Sequence, residues 1–228
     1  MDLNPVEARI TYECLDTTCN IGETEIVGNT AKLTADFPAC VNGFVIAQAE
    51  NYTTGKTILS TNSQREAFVL LKRLHNLDID LRIGGISSDE LAIINFVGEE
   101  SKTVAWPQVK SVSLAEGYYN MSVYVYRNSS LRLPASQNKK CVEVPSPGVL
   151  GFFGATREQC FDLSFPEQTI SSSINAGGKS TEYFLEEELV IADRIILDVP
   201  SLPTPTSLEQ IQDNFILLEN KLIDVRLE

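Results

Sequence analysis

His75-Asn76-Leu77-Asp78-Ile79-Asp80-Leu81-Arg82-Ile83 decides the fold class. Leu77, Ile79, Leu81 and Ile83 alternate with Asp78, Asp80 and Arg82, and Gly84-Gly85 closes the run. A period of two puts the four apolar side chains on one face of a strand and the charges on the other. Upstream, Ser63 to Glu66 has the form of a helix-capping box before Ala67 to Leu71. A short helix there competes with the alternation, and residues 66–83 read as mainly extended. The same period recurs at Ala8 to Tyr12, Ala31 to Thr34 and Tyr119 to Tyr126, while Gly43 to Gln48 and Leu91 to Val97 read as largely apolar core strands and Val109 to Leu114 as another strand. Lys56 to Thr61 reads as an edge strand. Glu116-Gly117 reads as a hairpin turn between the two neighbouring runs. Cys141 to Val144, Cys160 to Phe165 and Tyr183 to Val199 supply further strands. Many short strands between Gly, Pro and Asn turns predict a mainly β chain of tandem antiparallel β-sandwich units. The expected division is 1–62 for a first unit and 63–199 for a second, elaborated one.

The character changes at Pro200-Ser201-Leu202-Pro203-Thr204-Pro205, which reads as a stiff linker over 200–206. Thr206 stands three residues before Glu209, a second capping-box pattern. Leu208, Ile211, Phe215, Leu218, Leu222 and Val225 follow at alternating spacings of three and four, predicting a C-terminal α-helix over 207–228. Such a seam either packs on its own sandwich or joins copies of the chain to one another.

The chain has 228 residues, 43% of them hydrophobic, and a net charge of −13. That charge repels phosphate, so nucleic acid is not an expected partner, and anionic lipid surfaces are disfavoured. Apolar runs fall short of the roughly 20 residues that span a bilayer. Met1 is followed by Asp-Leu-Asn-Pro-Val-Glu, which is no signal peptide, so a secreted location requires a mature or excised chain. Membrane contact would come through an anchor outside this segment or through an apolar loop.

Five cysteines and one histidine make no zinc pattern, and no Cys-x-x-Cys occurs. Disulfides are the expected use. Cys141 and Cys160 bracket one Gly/Pro-rich loop, whose closure is worth about 3 kcal/mol in the chain-entropy model. Cys40 pairs with Cys14 or Cys19, leaving one thiol. The bracketed loop, 145–155, carries Val149, Leu150, Phe152 and Phe153. It either folds over the core or presents an apolar tip to a partner or a membrane.

Asn20-Ile21-Gly22-Glu23-Thr24 and Asn42 to Tyr52 resemble the turn and core-strand motifs of PEGA and carboxypeptidase-regulatory-like (transthyretin-like) β-sandwich modules, mainly over residues 5–62. Asn51 stands in place of the usual Gly, and Glu25 in place of the usual Pro. Leu114 to Val123 resembles a fainter second copy. The resemblance to such modules of archaeal cell-surface proteins implies a spacer, adhesion or assembly role at the cell surface, with no catalytic residues.

Other candidates weigh against this reading. His75 has no nucleophile assigned to it by spacing. Asp78 with Asp80, and Glu186 to Glu188 with Asp193, read as solvated strand faces, with a loose Ca²⁺ site as the alternative. Gly84-Gly85 and Gly177-Gly178-Lys179-Ser180 read as turns, because Ser173 stands where a phosphate loop needs glycine. Sequons occur at Asn51, Asn120 and Asn128, with Asn128 expected in a turn. A carbohydrate-binding module using Trp106-Pro107, Tyr118, Tyr119 and Tyr124 is the first rival function. A membrane-inserting protein using the loop 145–155 is the second.

Overall fold

The computed structural model describes residues 4–133, 136–145, 156–165 and 168–228. The chain is mainly β, with several antiparallel sheets and a short helix near the C-terminus.

The first sheet has the order β2-β1-β5-β6, built from β1 (Arg9–Cys14), β2 (Thr17–Glu23), β5 (Gly43–Gln48) and β6 (Gly55–Leu59). A small hairpin, β3 (Glu25–Val27) with β4 (Thr30–Lys32), stands beside it. Ile10, Tyr12, Val45 and Ala47 form its buried face, against which Leu33, Phe37, Ala67, Val69 and Leu71 pack. Tyr12 is fully buried, and its hydroxyl donates to the Leu59 carbonyl at 2.7 Å. That bond satisfies the one polar atom the tyrosine carries into the core. Gly43 lies under the ring, where an added Cβ would sit 2.2 Å from the Tyr12 oxygen.

Residues 66–72 form no helix, as the extended reading of 66–83 expects. They run extended over the first core, and Thr53 N donates to the Lys72 carbonyl at 2.8 Å. The first core is thus covered by residues that lie beyond position 62. Asn20 to Glu23 is no turn. It lies within β2 opposite Ile10 and Thr11, where the register slips. Thr24 then closes on Ala8 through paired bonds of 2.8 and 2.9 Å. The turn at Asn51 does form, with φ +62.

The second unit holds one core between two sheets. One sheet has the order β11-β7-β16-β17, from β7 (His75–Ile83), β11 (Ser111–Leu114), β16 (Arg194–Val199) and β17 (Asp224–Leu227), with β8 (Ile86–Ser87) paired to β7. The other has the order β10-β9-β12-β15, from β9 (Ala92–Val97), β10 (Ser101–Trp106), β12 (Gly117–Leu133) and β15 (Gln168–Phe184). Leu77, Ile79 and Leu81 meet Ile94, Phe96, Met121 and Val123 in a single buried cluster. Each such side chain contributes about 1.5–3 kcal/mol on burial. β7 and β16 run parallel, so this sheet is mixed and not wholly antiparallel. β11 and β12 form no hairpin. β11 pairs with β7 and β12 with β9 and β15, so Ala115 to Gly117 carries the chain from one sheet to the other.

β12 and β15 continue past the end of β9, to Leu133 opposite Gln168. β13 (Ser136–Pro145) and β14 (Thr156–Phe165) then pair with each other. Val149, Leu150, Phe152 and Phe153 lie outside the described residues.

The C-terminal region departs furthest from expectation. Glu186–Ile191 is a short helix and not a strand, so Glu186 to Glu188 form its first turn. There the acidic side chains favour the positive end of the helix dipole. The second helix spans Leu208–Glu219 and not 207–228. Its cap is Ser207, which accepts from Gln210 N, while Thr206 bonds the Gln210 side chain. The chain then turns back into β17, antiparallel to β16. Nor are residues 200–206 a free linker. Leu202 is buried, its N–H donates to the Asn175 carbonyl at 2.6 Å, and Asn214 Nδ2 donates to the carbonyls of Pro203 and Ile174.

Candidate functional site

Tyr119, Met121, Val123 and Val125 point into the core, so Tyr118, Asn120, Ser122 and Tyr124 point outward from the same strand. The register of four strands assembles them into rows. Tyr118 stands opposite Tyr183. Ser101, Val97, Asn120 and Thr181 make the next row, and Thr103, Asn95, Ser122 and Lys179 the one after. Ala105, Ile93, Tyr124 and Gly177 complete the face.

Side-chain bonds fix the polar groups. Thr103 Oγ1 donates to Asn95 Oδ1 at 2.9 Å, and Asn95 Nδ2 donates to Ser122 Oγ at 3.2 Å. Thr181 Oγ1 donates to Asn120 Oδ1 at 2.8 Å. At one end, Tyr118 and Tyr183 pack ring against ring at 4.6 Å while remaining 71% and 43% exposed. Tyr183 Oη donates to Glu116 at 3.1 Å, and that bond to a carboxylate, followed by desolvation, pushes the phenol above its ordinary pKa. At the other end the helix Leu208–Glu219 sits on Tyr124, Tyr126 and Ile174 through Leu218. Lys179 is paired with Glu219. Within these rows Lys179 is the one charged side chain, in a chain of net charge −13. A shallow pocket lined by Thr53, Glu99, Glu100, Lys102, Glu116 and Tyr118 adjoins the tyrosine end, where the two units meet. Thr54 N donates to Glu100 Oε1 at 2.8 Å there, and Lys72 pairs with Glu99 at 2.9 Å.

The aromatic set expected for a sugar-binding face is divided by the fold. Trp106 is buried, with Nε1 donating to the Ser88 carbonyl at 2.9 Å, and Tyr119 is buried, its phenol raised by desolvation. Tyr118 and Tyr124 are on the face, joined by Tyr183, which the spacing had not singled out. Only the strand register, set by residues 177–183 far along the chain, places it there.

Cys14 and Cys40 form a disulfide, with Cα atoms 6.1 Å apart, and Cys19 is the thiol left over in this group. Cys141 is disulfide-bonded, and Cys160 is the residue opposite it across the β13–β14 hairpin. His75 Nε2 stands 2.9 Å from Glu186 Oε1, joining β7 to the short helix. Asp80 bonds Ser87 and Arg82. Desolvation opposes its ionisation, but these two partners outweigh it and hold the carboxyl below its ordinary value. Among the described residues no group of three or more His, Cys, Asp or Glu side chains is placed to hold a metal ion. Gly177 and Gly178 lie in β15 and not in a turn. Asn51, Asn120 and Asn128 are exposed, but Asn128 lies within β12 and not in a turn. Of the heptad positions, Leu218 is fully buried, Leu208 and Phe215 are about half exposed and Leu222 is 80% exposed. Ile211 is partly buried.

Fold and face together define a mainly β chain with a disulfide and a sheet face whose outer rows are polar and aromatic, with one charged side chain. No family model matches the chain, and neither a curated protein nor a solved structure matches it. Among the described residues no helix is long and apolar enough to cross a membrane.

Proposed function

We propose that this chain is a non-catalytic structural or interaction segment of a secreted or cell-surface protein, acting in adhesion or assembly through the outer face of the sheet β10-β9-β12-β15. The Cys14–Cys40 disulfide carries the reading, because such bonds persist in oxidising compartments and are rare elsewhere. The PEGA-like strand and turn of residues 42–52 support the same location and belong to the proposal. The test is a thiol titration of protein made under oxidising conditions and then denatured. One titratable thiol, Cys19, is expected, with peptide mapping returning Cys14–Cys40 and Cys141–Cys160. Five titratable thiols would overturn the location.

A further inference from the structure

We infer that the outer face of β10-β9-β12-β15 binds a neutral oligosaccharide, stacked on Tyr118 and Tyr183 and hydrogen-bonded along the band Thr103, Asn95, Ser122 and Asn120. The inference deepens the reading of this face as the contact surface and rests on it.

Three observations select the ligand. First, the aromatic end is both exposed and fixed. Tyr118 and Tyr183 brace each other at 4.6 Å, and the Glu116 bond holds the Tyr183 hydroxyl. Rings held in this way offer apolar area without losing rotamer freedom on binding. The C–H face of a pyranose matches such a ring, and its hydroxyls turn to the sides. Second, the band beside the rings offers donors and acceptors in set directions. Asn95 keeps a second amide N–H after bonding Ser122, and Ser122 keeps its own O–H. A polyhydroxylated ligand can use both kinds of group. Third, the charge is wrong for the alternatives. Lys179 is paired with Glu219, so among the described residues of these rows no unpaired cation is offered to an acidic glycan or phosphate.

A peptide strand fits less well. The inner strands β9 and β12 already have their backbone groups paired across the sheet, so a peptide strand could add only along an edge and not across the face. The dimensions suit a short chain of sugars. From Tyr118 to Tyr124 is six residues along one strand, about 20 Å, and three strand spacings across give about 14 Å. The helix at the Tyr124 end limits how far the ligand extends.

The test is affinity electrophoresis of the whole chain, made without N-glycosylation because Asn120 lies in the face. The gels contain mannan, xylan, β-glucan or galactomannan, with heparin as the acidic counter-probe. Retardation by at least one neutral polysaccharide is expected, and none by heparin. Tyr118→Ala and Tyr183→Ala should each weaken it about tenfold, the loss of roughly one good aromatic contact. Asn95→Ala should weaken it a few-fold, and all three variants should still unfold cooperatively, with no more than a modest drop in the unfolding midpoint. No retardation in any neutral gel, retardation by heparin alone, or retardation indifferent to both tyrosines would overturn the ligand class. A thiol count of one beside such a failure leaves the surface reading standing, so the two proposals fail separately.

Discussion

At Gly177 a Cβ would meet the Val123 carbonyl oxygen at 2.2 Å and Leu218 Cδ1 at 2.9 Å, with φ at +144. The residue is glycine because backbone, sheet and helix converge on that point. Gly177→Ala should therefore destabilise the second unit by at least about 2 kcal/mol in urea unfolding. As a Gly-Gly pair it reads like a turn, and no local signal distinguishes a turn from a close approach made by residues 218–223. Asp80 is a different case. Its folded-state pKa is depressed, so its contribution is present above the unfolded value and is lost as pH falls through the folded one. Asp80→Asn should cost about 1 kcal/mol at neutral pH. The gap from wild type should close as pH is lowered through the carboxylate range, which urea titrations at several pH values would record. The pairing of Cys40 with Cys14 was open in the sequence because Cys14 and Cys19 lie close together along the chain. The β1–β2 register separates them, setting Cys19 opposite Tyr12 and Cys14 opposite Thr17.

Among the elements, β7 and the start of β12 were legible from their alternation, and β5 and β9 from short, largely apolar runs. What local period could not carry was pairing. The runs before and after Gly117 look like hairpin partners, yet they end in different sheets because each finds a better-matched neighbour far along the chain. The C-terminal heptad pattern similarly outran the helix. Residues 208–219 obey it, but Val225 joins a strand whose partner, β16, is tertiary information. Asn214 is the residue that fastens this region, being 2% exposed and bonded to two carbonyls from different segments. Asn214→Leu should cost about 1–3 kcal/mol by leaving both carbonyls unpaired. Leu218→Ala should cost about 2–5 kcal/mol and Leu222→Ala almost nothing, since only the first is buried. Self-association through the helix would have to use Leu208, Phe215 and Ile216, which are exposed. Light scattering is expected to give the mass of one copy for wild type and for Phe215→Asp alike. A wild-type mass of two copies, halved by the substitution, would establish the assembly.

For the whole molecule, two large separate cores are formed, and the cover of the first extends past residue 62. Ala67, Val69 and Leu71 cover the core of the first unit, and an irregular covering segment has no periodic signature. A fragment of residues 4–74 should unfold cooperatively, whereas one ending at 62 should not, as circular dichroism melts of the two would show. The second unit has a different dependence on its own ends. β17 completes a sheet begun by β7, and the Glu228 carbonyl accepts from Asp193 and Arg194 at 2.7 and 2.9 Å. During synthesis, then, the first unit can close while the second is still being translated. The second must wait until residue 228 has cleared the ribosome, holding Leu77, Ile79 and Leu81 exposed for some 150 codons. That delay makes the second unit the part of the nascent chain on which a chaperone has most to act.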